Sequence, residues 1–254
     1  MPDFRRLALA AACLSALAAC QHAPPRNPMA TWVPSPNHDV RRAQLIVLHY
    51  TEQDSAERSL YTLRTRNSGG PVSAHYLVGD DGHIYQLVAD DHRAWHAGAG
   101  SWGSIHELNS ASIGIEIDND GVEPFSEPQV AALLRLLDDL TTRHRIPKTE
   151  VIGHSDLAPG RKIDPGPLFP WKRLFDAGFG VWPDPAAPPP PGFDPVNALR
   201  LIGYSTDNLE AAIHSYRMRF RGDNPKALDE EDLRILHALA WRHPSAPEST
   251  RAKP

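Results

Sequence analysis

The segment VIGHSDLAPGRKIDPGP occupies residues 151–167 and combines a short strand signal with a polar loop. Residues 151–153 form an apolar run that predicts a buried strand, and this run leads directly into His154. Asp164 lies further along the same segment. Loops at the ends of strands commonly carry active-site residues on a rigid scaffold. The segment is therefore the first candidate for a functional site.

Two other segments place a polar residue on or beside an apolar strand. Residues 43–48 form an apolar run with β-branched residues, which predicts a buried strand that ends at His49. In residues 112–118, three isoleucines alternate with Gly114 and Glu116. Because side chains alternate between the two faces of a strand, we expect the isoleucines to face the core and Glu116 to face the opposite side.

The remaining signals of the central region predict one sheet with helices packed against it. Residues 54–66 are polar enough for a surface helix, and residues 74–78 and 84–88 flank an Asp-Gly pair that is typical of a hairpin turn. Residues 127–144 give the clearest helix, with an apolar stripe and a capping-box pattern that begins at Ser126. The predicted fold class is α/β, a mixed central β-sheet flanked by helices.

A proline-rich segment divides the chain into two parts. Residues 37–182 are expected to form the α/β domain, residues 183–195 a stiff linker, and residues 196–243 a small domain of three short helices. Residues 244–254 are expected to be a disordered tail. Seven apolar side chains would supply the core of the small domain: Leu199, Ile202, Leu209, Ile213, Leu233, Leu236 and Leu239.

The first residues have the pattern of an export signal. Two arginines precede an apolar run that is too short to span a bilayer, so residues 1–19 are predicted to be a signal peptide. The run ends in Leu-Ala-Ala-Cys, which resembles the lipobox of bacterial lipoproteins and implies lipidation of Cys20. Residues 20–36 would then be the lipidated cysteine and a tether. Gln21 after the cysteine implies an outer membrane lipoprotein facing the periplasm, whereas a plain secretory signal is the alternative.

Composition excludes several classes of function. The formal net charge is -5 and no lysine- or arginine-rich stripe stands out, so the electrostatic pattern of a nucleic-acid-binding protein is missing. Both cysteines lie within residues 1–20. The rest of the sequence therefore offers no disulfide, no thiolate metal ligand and no cysteine nucleophile.

Three residues near predicted strand ends could hold a metal ion. His49, His154 and Asp164 offer two imidazoles and one carboxylate, which is a suitable set of three ligands for catalytic zinc. The chain has 13 histidines and 31 carboxylates, so such a set is also easy to draw by chance. From these residues alone, ordinary surface or core histidines remain the alternative.

Five segments together resemble a known enzyme family. They occur in this order: IVLHYT at 46–51, VSAHY at 72–76, WHAG at 95–98, SIGIEI at 112–117 and GHSDLAPGRKIDPGP at 153–167. They closely resemble the amidase-2 family of zinc N-acetylmuramoyl-L-alanine amidases, whose fold is shared by peptidoglycan recognition proteins. The resemblance implies hydrolysis of the amide between N-acetylmuramic acid and L-alanine, in peptidoglycan or muropeptides, for wall degradation, turnover or recycling. With the lipobox and the C-terminal helices, the chain resembles the lipid-anchored periplasmic branch.

The resemblance also implies roles for individual residues. It assigns His49, His154 and Asp164 to Zn²⁺ and places Glu116 and Lys162 beside the metal as catalytic residues. A glutamate there can take a proton from water and pass it to the departing amine, and a lysine can stabilise an oxyanion. A solvated strand-face carboxylate and a surface lysine are the alternatives.

Two aromatic residues and the C-terminal helices have less definite roles. Trp95 and His96 either line the substrate groove or pack a loop. The helical unit resembles a small peptidoglycan-binding domain, and a helical appendage without that function is the alternative.

Two other functions compete with the amidase. A non-catalytic peptidoglycan receptor could use the same fold, although such receptors typically lack a zinc ligand that is present here. A peptidase cutting within the stem peptide is the third hypothesis, but the sequence lacks the His-Glu-x-x-His pattern of the common zinc peptidases. No oligomeric state is predicted.

Overall fold

The structure is a computed structural model that describes residues 26–40, 43–184, 188–223 and 225–242. The strands in these residues are β1 (Thr31–Trp32), β2 (His38–Val40), β3 (Leu45–Tyr50), β4 (Arg66–Asn67), β5 (Gly70–Pro71), β6 (Tyr76–Val78), β7 (Ile84–Gln86), β8 (His92–Ala94), β9 (Ser112–Ile117) and β10 (Val151–Gly153). Six of them form one sheet in the order β1-β7-β6-β9-β3-β10. Within it, β6 and β7 are antiparallel and the other neighbouring pairs are parallel.

Helices cover both faces of this sheet. Those in the described residues are α1 (Ala56–Arg64), α2 (Leu108–Ala111), α3 (Glu127–His144), α4 (His154–Leu157), α5 (Trp171–Asp176), α6 (Pro195–Ile202), α7 (Leu209–Phe220) and α8 (Glu230–Arg242). The predicted fold class, a mixed central sheet flanked by helices with a C-terminal helical region, is confirmed.

Alternation along β3 divides the core into two layers. Ile46 and Leu48 pack on one face of the sheet with the apolar side of α3, whereas Leu45 and Val47 point to the other face. His49 continues the second series because side chains alternate along a strand. The face that carries His49 is therefore the face opposite α3.

The longest predicted helix is confirmed at both ends. α3 spans Glu127–His144, and the hydroxyl of Ser126 accepts a hydrogen bond from the backbone N–H of Gln129. The predicted capping box is only half formed, because the Gln129 amide donates instead to the backbone carbonyls of Val78 and Asp118. Gln129 thus ties the helix to the sheet rather than back to its own cap.

The predicted strand that ends at His49 was placed too early. β3 starts at Leu45 and runs through His49 to Tyr50. It pairs in register with β9, so that His49 lies opposite Glu116 and Leu48 lies opposite Ile115. The three isoleucines of β9 lie in the core layer of α3, as predicted.

The three C-terminal helices share a core with the sheet. Leu45 and Val47 of the sheet lie in one apolar cluster with Leu199, Tyr216 and Leu236 of the helices. The prediction that Leu209 belongs to this core was wrong, because the side chain starts α7 at the surface and is 37% exposed. The boundaries predicted for a separate small domain stay predictions, and residues 244–254 lie outside the described residues.

Candidate metal and catalytic site

Three side chains from distant parts of the sequence converge on one point. His49 Nδ1 lies 2.9 Å from His154 Nδ1, and Asp164 Oδ2 lies 3.0 Å from each of these nitrogen atoms. All three side chains are buried. The sequence-predicted ligand set is therefore brought together, and its two nitrogens and one oxygen offer lone pairs to a single cation.

The sheet and one loop place these ligands. His49 lies near the end of β3, and His154 follows β10, which is the neighbour of β3 in the sheet. The backbone N–H of Ser155 donates to the carbonyl of Asp164 at 2.8 Å, which holds the loop against the start of α4. Gly153 allows this closure, because a Cβ there would lie 2.9 Å from Cδ of Pro165.

Hydrogen bonds on the far side of each imidazole fix which nitrogen faces the cluster. His154 Nε2 lies 2.8 Å from the carbonyl of Ala97 and can donate to it, which leaves Nδ1 as an acceptor. His49 Nε2 lies 3.0 Å from Nδ1 of His96, and His96 Nε2 lies 3.3 Å from the Ser112 hydroxyl. When His49 Nε2 donates to His96 and His96 Nε2 donates to Ser112, His49 Nδ1 is left as an acceptor that can bind a metal ion. Such partners orient metal-binding histidines in proteins.

Gly114 makes room for His96 beside His49. A Cβ at this position of β9 would lie 2.4 Å from Cγ of the His96 ring. The imidazole therefore lies directly over the backbone of the central strand. The Asn109 side chain fixes the same segment by accepting from the backbone N–H groups of His96 and Ala97 at 3.0 and 2.8 Å.

The pKa values of the clustered side chains favour binding of a cation. Burial lowers the pKa of His49 to about 4, with the neighbouring His154 acting in the same direction, so the imidazole is neutral near pH 7. Burial acts to raise the pKa of Asp164, but His154 and His49 outweigh it and hold that pKa far below its usual value. A neutral imidazole and an ionised carboxylate are the forms that bind metals. The residues present thus fit a divalent cation.

Glu116 faces the cluster from the central strand. It lies opposite His49 in the β3–β9 pairing, and its Oε2 is buried with no hydrogen-bond partner among the described residues. Burial raises its pKa well above the usual value, and the nearby charge of Asp164 adds to this, whereas Lys162 lowers it. Lys162 lies on the loop between His154 and Asp164 and lines the same groove. The structure therefore places both predicted catalytic residues beside the predicted ligands.

These residues lie in an open groove with a volume of about 880 Å³. The half-buried Trp95 lines it, together with residues of α1 on one side and α7 on the other. His96 also lines the groove, and its Nδ1 lies 3.0 Å from Nε2 of His49. His96 is therefore in a position to orient the metal ligand His49. The sequence interpretation, in which His96 lines the groove or packs a loop, did not include this role.

Sequence reasoning missed two residues that support the site. The Arg161 guanidinium donates to the carbonyls of Ala97 and Ala99, and so fixes the segment that holds His154. Asn109 is the second such residue. Arg161 lies within the quoted motif, so a signal was present, whereas nothing near Asn109 in the sequence indicated its role.

We expect replacement of His96 by alanine to weaken binding of a divalent cation at this cluster by about 10- to 100-fold, which is the usual cost of removing a partner of a metal ligand. Without His96, the ring of His49 loses the contact that orients Nδ1. Competition with a chromophoric chelator would measure the affinity. The control is His106→Ala, because this histidine is exposed and lies outside the groove. Equal affinity of His96→Ala and the unmodified protein would remove His96 from this role.

Comparisons with known proteins agree with this geometry. Residues 39–167 match the Amidase_2 family model, described as N-acetylmuramoyl-L-alanine amidase. The chain is 41% identical to the N-acetylmuramoyl-L-alanine amidase AmiD of Escherichia coli over 159 residues, which is 56% of this chain and 56% of AmiD. It is 34% identical to the 1,6-anhydro-N-acetylmuramyl-L-alanine amidase AmpD of Enterobacter cloacae over 161 residues, covering 56% of this chain and 86% of AmpD.

Solved structures extend the likeness to the C-terminal helices. The complex of E. coli AmiD with anhydro-N-acetylmuramic acid-L-Ala-D-gamma-Glu-L-Lys has a TM-score of 0.68 and 34% identity, covering 84% of this chain and 91% of that chain. AmpDH3 from Pseudomonas aeruginosa with anhydromuramic pentapeptide has a TM-score of 0.71 and 34% identity, covering 87% and 99%. The family match and these relatives lead to one conclusion: the chain belongs to the amidase-2 family of N-acetylmuramoyl-L-alanine amidases.

Proposed function

We propose that the protein is a zinc-dependent N-acetylmuramoyl-L-alanine amidase that cuts peptidoglycan or muropeptides. The observation that carries this proposal is the meeting of His49, His154 and Asp164 in a groove that Glu116, opposite His49 on the neighbouring strand, also lines. A receptor of the wall would need the groove but not a buried carboxylate oxygen that has no hydrogen-bond partner among the described residues beside a metal site.

In this proposal His49 Nδ1, His154 Nδ1 and Asp164 Oδ2 hold the zinc ion. A zinc ion bound there supplies a Lewis acid for the scissile carbonyl and for the attacking water. Ala97 and His96 keep the two imidazoles in the required tautomers through their other nitrogens.

The protein's own residues then move one proton and stabilise one charge. Glu116 takes a proton from the water whose oxygen attacks the carbonyl carbon of the lactyl group. Lys162 lies where its ammonium group can stabilise the negative charge that develops on the carbonyl oxygen. Glu116 passes the proton to the alanine nitrogen as the carbon–nitrogen bond breaks. The products are a lactyl carboxyl group on the sugar, which keeps the second proton of the water until it ionises, and a peptide with a free amino group.

The related structures support this choice of substrate. AmiD was solved with a muropeptide that contains the sugar, L-Ala, D-gamma-Glu and L-Lys, and AmpDH3 with an anhydromuramic pentapeptide. Each of these structures matches more than four fifths of this chain.

Digestion of a defined muropeptide tests the proposal. We expect the full chain to release L-Ala-D-γ-Glu-L-Lys from anhydro-N-acetylmuramoyl tripeptide, with the products identified by mass spectrometry. A chelator should stop the release, and added zinc should restore it. Cleavage inside the peptide would instead indicate a peptidase. Binding of the muropeptide without cleavage, in a protein with a full zinc complement, would indicate a receptor.

We also propose that the protein is a lipoprotein of the bacterial outer membrane that faces the periplasm. The support is the lipobox-like Leu-Ala-Ala-Cys at residues 17–20, which lies outside the described residues. Within the part of the chain that the structure describes, no helix is both long and apolar enough to cross a membrane.

The variant Cys20→Ala tests the anchor, because removal of this sulfur removes the acceptor of the acyl chains. We expect the variant to move from the membrane fraction to the soluble fraction, measured by immunoblot after ultracentrifugation. The matched control is Cys13→Ala, since this cysteine lies in the predicted signal peptide. Sedimentation of Cys20→Ala with membranes would contradict a lipid anchor.

A further inference from the structure

The VSAHY segment at residues 72–76 places a buried histidine outside the groove. His75 is fully buried and directly precedes β6. Its backbone N–H donates to the carbonyl of Gly114 at 3.0 Å, and its ring Nδ1 accepts from the N–H of Gly114 at 2.9 Å. The pairing of β6 with β9 starts one residue later, at Tyr76 and Ile115. The imidazole of His75 therefore extends this pairing in place of a backbone carbonyl.

The other nitrogen of His75 ties the same ring to the strand that leads to His96. Nε2 lies 2.9 Å from the carbonyl of His92, the first residue of β8. Because Nδ1 accepts from Gly114, Nε2 carries the proton and donates to this carbonyl. Both ring nitrogens are thus used in one neutral tautomer. The ring of His75 is a fixed bridge between β9 and β8 and not a carrier of protons.

His96 lies in a row of imidazoles between His75 and His49. The ring centroids of His75 and His96 are 5.7 Å apart with an interplanar angle of 75°, and those of His96 and His49 are 5.1 Å apart at 85°. Both contacts are edge-to-face. The ring of His96 also lies over Gly114, which is the residue that His75 binds. Two of the surfaces that position His96 therefore depend on His75.

We propose that His75 is a positioning residue for the metal ligand His49 and acts through His96. It holds the backbone of β9 under the His96 ring and packs the edge of its own ring against that ring. His96 Nδ1 is thereby kept 3.0 Å from His49 Nε2. This inference rests on the proposed zinc site. Without His75, the His96 ring can turn, and His49 loses the contact that orients Nδ1 toward the cation.

A double-mutant cycle on zinc affinity tests this role. In His75→Asn, the side-chain oxygen can still accept from the N–H of Gly114, but the ring edge is lost. We expect this variant to bind Zn²⁺ about threefold to tenfold more weakly, which is less than the cost of losing the direct partner His96. In the His96→Ala background the same substitution should change the affinity by less than about twofold, because the residue through which His75 acts is gone. Competition with a chromophoric chelator gives all four affinities.

A spectroscopic signature separates positioning from a merely structural role. The visible absorption of bound Co²⁺ depends on the geometry of its ligands, so it should change in His75→Asn. The matched control is Tyr76→Phe. Tyr76 is also fully buried and follows His75 directly, but it packs on the α3 face of the sheet, and its hydroxyl donates to Asp90 at 2.6 Å. The control loses a buried hydrogen bond and should keep both the zinc affinity and the Co²⁺ spectrum.

The outcomes are distinct. Should His75→Asn not fold, His75→Gln takes its place, since its amide can donate to the carbonyl of His92, and the same cycle is expected. An unchanged zinc affinity in a folded His75 variant, or an equal loss with and without His96, would overturn the role of His75. Because the affinity requires no turnover, a protein that binds zinc but cleaves no muropeptide would refute the amidase function and still decide the role of His75. An unmodified protein that binds neither Zn²⁺ nor Co²⁺ would overturn both.

Discussion

Replacement of Glu116 by glutamine should lower kcat on the anhydromuramoyl tripeptide by about a thousandfold and leave the zinc content unchanged. General acid–base catalysis by a positioned side chain typically contributes 10²- to 10⁴-fold. Glutamine keeps the size of the side chain but can neither accept the proton from water nor return it to the alanine nitrogen. Steady-state kinetics and elemental analysis of the same preparation would measure both quantities.

The reason to expect an effect on kcat alone is the position of Glu116. It lies opposite His49 on the neighbouring strand, while the three ligand atoms belong to His49, His154 and Asp164. Its Oε2 has no hydrogen-bond partner among the residues described, so the amide of glutamine breaks no existing contact of that atom. The fold and the metal site should therefore survive the substitution.

The matched control is Glu123→Gln, since Glu123 is an exposed carboxylate after the same strand and lies outside the groove. This variant should keep full turnover. Full turnover in Glu116→Gln would remove Glu116 from the mechanism. Loss of zinc from Glu116→Gln would instead make Glu116 a part of the metal site.

Local patterns predicted the elements of the fold well. The helix at 127–144 has both an apolar stripe and a capping residue, and its ends agree with the structure. The alternation in β9 placed Glu116 on the face opposite the isoleucines, because a strand has a fixed period of two. The ends of β3 were predicted less accurately, because apolar residues continue past the ends of a buried strand and do not mark where it starts or stops.

The residue types in the sequence suggested a possible set of metal ligands, but they did not distinguish that set from other combinations of histidines and carboxylates. His49 and His154 are far apart in sequence, and only the order of strands in the sheet brings β3 next to β10. The family resemblance supplied that choice. The partner of His154 is the backbone carbonyl of Ala97, and a backbone carbonyl leaves no trace in a sequence.

The relation of the C-terminal helices to the sheet was the least predictable feature. The proline-rich segment indicated a linker before the helices, but it gave no sign of the apolar core that the helices share with β3 and β10. One of the contacts that join them is between Asp156 and Arg219, two charged residues that looked ordinary in the sequence. Pairing over such a distance follows from the tertiary fold and not from any local pattern.

Replacement of Arg219 by methionine should lower the free energy of unfolding by about 3–5 kcal/mol, which is the usual cost of removing one partner of a buried ion pair. Both side chains are buried, and Asp156 would be left charged in the core between α4 and α7. The remaining donors to Asp156, the Tyr204 hydroxyl at 2.6 Å and the backbone N–H of Gly153 at 2.8 Å, do not neutralise its charge. Urea unfolding followed by circular dichroism would measure the loss.

Two further variants test whether the loss comes from the unpaired buried charge. Lys172→Met removes an exposed ion pair with Asp176 and should change the free energy of unfolding by less than about 0.5 kcal/mol. Asp156→Asn combined with Arg219→Met should recover part of the loss, because no unpaired charge then stays buried.

A single unfolding transition that shifts as a whole is expected, since the helices and the sheet share one core. Two separate transitions, of which Arg219→Met moves only one, would instead mean that the helices fold as an independent module, and α7 could not then be a fixed wall of the groove.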